Sequence, residues 1–155
     1  MFFSVSQFYL WTREQSFVCA YLSGKKISAM NDIKNRQDIE RLVNKFYEKV
    51  LADDTISHFF TDVVAVDWEK HFPVMYDFWE GIVFEKALYK GNAMQTHVHL
   101  NQKAKLEKQH FEQWLALFTK TVDELFSGPK AELAKTRALS IATVIQLKTY
   151  SAAQQ

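Results

Sequence analysis

The stretch Tyr89–Leu100, YKGNAMQTHVHL, interrupts a chain that otherwise follows helical patterns, and it carries two of the five histidines. His97 and His99 lie two residues apart, so on a helix they would point about 200° apart and could not share one face. On a strand they would share a face and could ligate one metal ion, but the neighbouring residues do not alternate as a strand does. The stretch is therefore interpreted as a polar connector that presents a histidine to whatever the flanking helices enclose.

Apolar residues at three- and four-residue spacing predict amphipathic helices before this connector. The first helix should begin after Asn35, which forms an N-cap with Asp38 in the first turn, and its apolar face includes Tyr47. The second should begin after Asp67 and carries His71 on its inward side.

After the connector, a long apolar stripe through Trp114 predicts another helix, which ends before Ser127-Gly128-Pro129. Glycine just past a helix end and proline in the next first turn are typical of such a junction. Since the sequence contains no alternating strand pattern and no internal repeat, the predicted fold class is all-α.

Composition limits the possible partners. Nineteen basic and 18 acidic residues are interspersed along the 155-residue chain, so nucleic acid is not expected as a partner. The single cysteine, Cys19, excludes an internal disulfide and fits a reducing compartment, so a cytoplasmic location is predicted. No run reaches the ~18 apolar residues needed to cross a bilayer, so no membrane span is expected.

The predicted domains are an N-terminal extension over residues 1–30, a helical domain over residues 31–150 and a tail over residues 151–155. The extension is rich in aromatic residues without a sustained helical period, and it lacks the basic start of a signal peptide. Because an orderly helical pattern follows Met30, we expect Met1–Ala29 to lie outside the core fold as an over-extended start.

Aromatic residues make up 15% of the chain, including thirteen phenylalanines. Such a load suits either a bulky core or the walls of a flat apolar ligand site. With Tyr47, His71 and Trp114 facing inward from three helices, and one further histidine arriving from the connector, the pattern provides what a haem pocket requires. A cofactor-free helical interaction module and a non-haem metal enzyme using His97 and His99 are the alternatives at this point.

Residues 33–150 resemble a truncated haemoglobin of group III, over about three quarters of the chain. The matching segments follow the family's order and spacing: LVNKFYEKV at Leu42–Val50, the pair Phe59-Phe60, WEKHFPVMYDFWEGIV at Trp68–Val83, YKGNAMQTHVHL, and HFEQWLALF at His110–Phe118. The resemblance implies a two-on-two helical sandwich around haem b, which is iron protoporphyrin IX.

On the proximal side of the implied pocket, His97 matches the family's ligand to the haem iron, and His99 does not. One departure is Ala93, where relatives commonly have proline. This departure predicts a looser turn before His97.

Six residues match the distal side of the family's pocket, namely Tyr47, Phe60, His71, Phe78, Trp79 and Trp114. Tyr47 and Trp114 match donors that hydrogen-bond a ligand of the iron, and Phe60 matches a ring that packs flat against the porphyrin. His71 matches a histidine that gates access; a hydrogen-bonded structural histidine and a sixth iron ligand are the other interpretations. The remaining two match an aromatic pair that lines the pocket.

The resemblance further implies binding of O2, NO and CO. Two distal donors would slow O2 release, which favours NO dioxygenation or peroxide reduction, fed by a separate reductase, over O2 delivery. A pocket suited to redox chemistry does not by itself assign enzymatic turnover.

Overall fold

A computed structural model of the chain describes residues 30–152. The predicted extension through Ala29, with Cys19, lies outside these residues, as do residues 153–155. The helices and one π-helical turn follow in the order α1 Arg36–Leu51, the turn Phe59–Val63, α2 Trp68–Phe84, α3 Ala93–Lys103, α4 Lys108–Leu125 and α5 Pro129–Ala152. No strand occurs between residues 30 and 152, and the all-α prediction is confirmed.

The first two helices begin where the sequence predicts, because their N-caps form. The side chain of Asn35 accepts a hydrogen bond from the backbone N–H of Asp38 at 3.0 Å. Asp67 accepts one from the N–H of Lys70 at 3.3 Å. Each cap satisfies an N–H group that would otherwise have no partner in the first turn.

The core lies where α1 packs against α2 and α4, and where α4 packs against α5. The inward stripe of α1 is at most 1% exposed and consists of Ile39, Leu42, Val43, Phe46 and Val50. Small buried residues of α5, Ala134 and Ala138 among them, let its neighbours approach closely. None of the helices in the described part of the chain is long and apolar enough to cross a membrane.

Asp32 fastens the start of the domain to the start of α5. Its carboxylate accepts hydrogen bonds from the N–H groups of Lys130 at 3.0 Å and Ala131 at 2.9 Å. Gly128, with a φ of +151°, lies so close that a Cβ atom there would come within 2.5 Å of the Asp32 carboxyl carbon. Burial raises the pKa of Asp32, but the backbone hydrogen bonds outweigh burial and the pKa is lowered.

An ion-pair network joins α1 to α2 away from the core. The Arg36 guanidinium donates to Asp77 at 2.6 Å and to Glu80 at 2.7 Å, and Glu80 also accepts from Lys86 at 2.8 Å. Lys86 and Arg36 lower the pKa of Glu80, which is only 8% exposed. The network therefore holds together the two helices that carry Tyr47 and His71.

Candidate functional site

His97 lies on a helix, and the prediction of a polar connector around it is wrong. α3 begins at Ala93 because the side chain of Asn92 accepts a hydrogen bond from the N–H of Gln95 at 3.0 Å. The Asn-x-x-Gln spacing is a helix-start signal, which the low apolar content of the stretch concealed. On this helix His97 is half-buried, whereas His99 is exposed and lies 2.8 Å from the Gln95 side-chain amide.

The two histidines therefore lie on different faces of α3, as the helical geometry requires. Across residues 30–152, no group of three or more His, Cys, Asp and Glu side chains could hold a metal ion. A non-haem metal site built on both His97 and His99 has no ligand set in this part of the chain.

The His97 ring is held in one orientation by its own helix. Its Nδ1 lies 2.7 Å from the carbonyl oxygen of Ala93. Because a carbonyl can only accept, Nδ1 carries the proton and Nε2 keeps its lone pair. Burial lowers the pKa of His97, against the hydrogen bond to Ala93, which raises it. The ring is therefore neutral at pH 7, with Nε2 in the form that binds metals.

α3 is the one α-helix between residues 30 and 152 that has no fully buried side chain. Met94, His97 and Val98 share one face at helical spacing and are only half-buried. Asn101 anchors the far end, donating to the Thr149 carbonyl at 3.3 Å and accepting from the Leu106 N–H at 2.8 Å. The face around His97 is thus apolar, only partly covered by protein and suited to a flat apolar group.

Tyr47 lies at the centre of an aromatic cluster built by α1, the π-helical turn and α2. Four ring centroids lie 5.2–5.7 Å from that of Tyr47, those of Phe60, Trp68, His71 and Phe72. The sequence predicted Trp68 and Phe72 as apolar positions of this helix but gave them no role in the site. Trp68 lies three residues before His71 and four before Phe72, and its ring centroid lies 5.6 Å and 5.3 Å from theirs.

The hydroxyl of Tyr47 lies 2.8 Å from Nε2 of His71. Burial raises the pKa of Tyr47 and lowers that of His71, so both side chains are neutral at pH 7. If Nε2–H donates to the Tyr47 oxygen, the tyrosine O–H is free for another acceptor; if Tyr47 donates to Nε2, it is not. The pair can therefore present or withhold one hydroxyl proton.

Between residues 30 and 152, Trp114 is connected to this cluster through Phe46. The Trp114 ring stacks on Phe118 at 5.6 Å and meets Phe46 edge-on at 5.5 Å, and Phe46 in turn lies 5.1 Å from Tyr47. No residue of the described part accepts a hydrogen bond from the indole N–H of this half-buried side chain.

Phe78 and Trp79, the two aromatic residues predicted to line the pocket, lie in different environments. Trp79 is 3% exposed and stacks on Phe118 at 4.3 Å, so its ring belongs to the core. Phe78 is half-buried and meets Tyr89 edge-on at 5.0 Å, beside the entry to α3. Of the six predicted distal residues, the fold thus gathers Tyr47, Phe60 and His71 into one cluster.

Comparison with known proteins places this arrangement in a family. Residues 28–146 match the family described as bacterial-like globin. A group 3 truncated hemoglobin from Campylobacter jejuni is 26% identical over 119 residues, covering 75% of this chain and 91% of that protein. The crystal structure of a group III truncated hemoglobin from Campylobacter jejuni matches with a TM-score of 0.68 and 25% identity, over 78% of this chain and 95% of that one. The predicted truncated-globin fold is confirmed, and the chain belongs to the bacterial-like globin family.

Proposed function

We propose that this globin binds haem b through Nε2 of His97 and takes O2, NO or CO on the side of Tyr47. Membership of a globin family carries haem binding with it; the residues that hold the cofactor are our assignment. When bound, haem supplies an iron atom with one position for an imidazole and one for a small gaseous ligand. The observation that carries the assignment is the 2.7 Å hydrogen bond from His97 Nδ1 to the Ala93 carbonyl, because it directs Nε2 away from its own helix.

The surroundings of His97 support the same assignment. Met94 and Val98 flank it on the half-buried face of α3. Several large aromatic side chains of the domain are also only partly buried although they pack on the core, Phe60, Phe78 and Trp114 among them. A macrocycle needs flat apolar walls of this kind together with a few polar groups.

On the ligand side, we assign Tyr47 and Trp114 as hydrogen-bond donors. A hydrogen bond to a charged group is worth ~1.5–3 kcal/mol, and more of that value is retained where water is excluded. Two donors that contribute ~3 kcal/mol together would slow ligand release about a hundredfold. Tyr47 is 6% exposed, so its hydroxyl is well shielded from competing water.

We assign His71 as the residue that controls the Tyr47 donor. Its Nε2 lies 2.8 Å from the Tyr47 hydroxyl, so the choice of tautomer decides whether Tyr47 can donate to a ligand. Because His71 is half-buried near the start of α2, a swing of its ring toward solvent would also open a path to Tyr47. This role corresponds to gating of access.

Slow release of O2 is unfavourable for O2 delivery and favours a chemical reaction of the bound ligand. The proposed activity is therefore redox or detoxification chemistry, such as NO dioxygenation or peroxide reduction. Such turnover consumes electrons, so a separate reductase is proposed as the partner.

Ligand dissociation kinetics test the two-donor assignment. Tyr47→Phe and Trp114→Leu are each expected to raise the O2 dissociation rate about tenfold or more, since each removes one donor worth ~1.5–3 kcal/mol. Tyr150→Phe is the matched control, because Tyr150 is 67% exposed on α5, and it should leave the rate unchanged. Unaltered rates in both donor variants would contradict the assignment.

The identity of the cofactor has its own test. Haem b carries no covalent bond to protein, so acid-acetone should extract it completely and leave colourless protein. Haem that stays with the protein after extraction would contradict the assignment of haem b.

A further inference from the structure

The third residue of α4 is a histidine, His110, in a position where a capping box usually has Glu or Gln. The backbone N–H of Glu107, the N-cap residue, donates to Nδ1 of His110 at 3.0 Å. The backbone N–H of His110 donates in turn to the Glu107 carbonyl at 3.0 Å. Because Nδ1 accepts, the neutral ring carries its proton on Nε2. This side chain therefore closes the first turn of α4 only while Nδ1 is unprotonated.

The His110 ring also contacts the segment before α2. Its centroid lies 4.9 Å from that of Phe59, which is 4% exposed, and 6.0 Å from that of His58. Phe59 directly precedes Phe60 of the Tyr47 cluster. One side chain thus links the first turn of α4 to the π-helical turn.

Two ionisable groups act on the charge of His110. Burial lowers the pKa of His110; Glu107 opposes this effect, and His58 adds to it. A further tether, from the Gln113 amide to the Asp53 carboxylate, holds the next turn of α4. Loss of the His110 contact would therefore leave the start of α4 held at Gln113, so this end of the helix can turn about the residue directly before Trp114.

Trp114 lies one turn after His110, on the same side of α4. Its ring packs on Phe118 and Phe46 and has no hydrogen-bond acceptor among the described residues. The direction of its indole N–H is therefore set by this packing and by the path of α4 through this turn. A change in that turn would therefore redirect the proposed donor.

We propose that His110 is a positioning residue for Trp114, and that protonation of His110 releases the first turn of α4 and weakens the Trp114 donor. The inference rests on the proposed function, in which Trp114 donates to the ligand. A protonated Nδ1 cannot accept from Glu107, and the new positive charge lies at a helix N-terminus, where the helix dipole disfavours it. The hydrogen bond from the Glu107 N–H to His110 Nδ1, called the clasp below, is therefore formed above the ordinary histidine pKa of about 6.5. It breaks as the pH falls through the lowered pKa of His110.

Amide hydrogen exchange of the full chain as purified tests the clasp directly. Loss of a helix cap should lower the protection factors of the Glu107 and His110 amides, which have partners in this turn, about fivefold between pH 7.5 and pH 5. His110→Gln is the matched variant, because glutamine at this position keeps an acceptor that does not titrate. Its protection factors should stay constant over the same range. Equal pH dependence in both proteins would overturn the proposal.

The effect on Trp114 has a second readout. The indole N–H resonance of Trp114, assigned by its loss in Trp114→Phe, should shift with the same midpoint as the His110 ring nitrogens. It should not shift in His110→Gln. A Trp114 resonance that is constant in the wild type, or that moves equally in the variant, would overturn the positioning role. Neither readout uses a gaseous ligand, so a protein that fails to bind haem would refute the proposed function without affecting this test.

The wild type alone supplies an additional check, should His110→Gln fail to fold. The Nδ1 nitrogen of His110 should be unprotonated at pH 7.5 by its ¹⁵N chemical shift and should gain its proton as the Glu107 amide loses protection. A proton on Nδ1 at pH 7.5 would contradict the clasp.

Discussion

Tyr47 and His97 lie in two regions of the molecule that are built in opposite ways. Tyr47 is surrounded by side chains from α1, α2 and the π-helical turn. Phe46 packs against Tyr47 and Phe118 packs against Phe46, and both phenylalanines are at most 1% exposed. His97 lies on α3, an eleven-residue helix with no fully buried side chain. Its orientation depends on local hydrogen bonds, chiefly those of Asn92, Ala93 and Asn101.

This difference indicates how the two sides of the proposed pocket reach their geometry. The Tyr47 side is fixed by the packing that folds the domain, so it exists before any ligand binds. The His97 side is held by a few capping interactions and gains further contacts only from a group that covers its inner face. Helices with few buried contacts open more readily than core helices, so α3 should depend on haem much more than α1 does.

The largest expected effect is a loss of stability when the packed region beside Tyr47 is disrupted. Phe118→Ala should lower the free energy of unfolding by about 3–5 kcal/mol, since it removes a fully buried ring that contacts Phe46, Trp79 and Trp114. A matched pair sharpens the comparison. Val122→Ala, fully buried on α4, should cost about 2 kcal/mol, and Val98→Ala on α3 less than about 1 kcal/mol. Denaturant unfolding of the haem-free proteins measures all three, and equal costs for the two valines would contradict the contrast.

Haem binding should affect the weaker region most. In the haem-free chain, the amides of α3 are expected to have lower protection against hydrogen exchange than those of α1. If α3 can open only when haem leaves, bound haem opposes that opening. With free haem at a hundred times its dissociation constant, the added cost is ~2.7 kcal/mol, so the protection of the α3 amides should rise about a hundredfold. Protection in α3 that already equals that of α1 without haem would contradict this account.

The pH dependence of stability should reflect both regions. Burial lowers the pKa of His71 and of His97, so the unfolded chain binds more protons than the folded chain in mildly acid solution. Their contribution to stability is complete above the ordinary histidine pKa of about 6.5 and is lost as the pH falls through the lowered values, at up to ~1.4 kcal/mol per pH unit for each proton.

His71→Gln and His97→Gln should each reduce this acid dependence in the haem-free protein. Haem bound at His97 would keep that ring unprotonated in the folded state, so the His97 contribution should persist in the haem-bound protein and extend to lower pH. Unfolding curves between pH 5 and pH 7.5 provide the measurement. His99→Gln is the control, because His99 is exposed on α3, and a slope changed equally by that variant would argue against the assignment to buried rings.

The smallest expected effect concerns the start of α3. Ala93 is its first helical residue, a position where proline is well tolerated because its missing N–H would have no helical partner. Ala93→Pro keeps the carbonyl that accepts from His97 and restricts the unfolded chain. It should stabilise the protein by about 0.4–1 kcal/mol and raise α3 protection in the haem-free form. A destabilised Ala93→Pro variant would indicate that this turn already has its preferred geometry.

Sequence patterns correctly predicted the helices for which the apolar spacing and the N-cap residue indicate the same starting point. α1 and α2 begin after Asn35 and Asp67 as expected, and Tyr47 falls on the buried face of α1. The pattern failed at α3, where Met94, Val98 and Leu100 are too few to reveal an apolar stripe and only the Asn92–Gln95 signal marks a helix.

Contacts between residues that are far apart in the sequence could not be predicted from spacing alone. Tyr47 and His71 lie on separate helices, and their hydrogen bond depends on how α1 crosses α2, which the Arg36–Glu80 ion pair helps to set. The same limit applies to Trp79, whose ring faces Phe118 in the core although its position on α2 also allowed a pocket-lining role.

The absorption spectrum of the purified protein tests the central claim, that His97 holds the haem iron. The wild type should carry a strong Soret band, His97→Ala should lose or shift it, and His99→Ala should leave it unchanged because His99 lies on the exposed face of α3. A folded wild-type protein that stays colourless after exposure to haem would contradict haem binding. A His97→Ala spectrum identical to that of the wild type would contradict the ligand assignment.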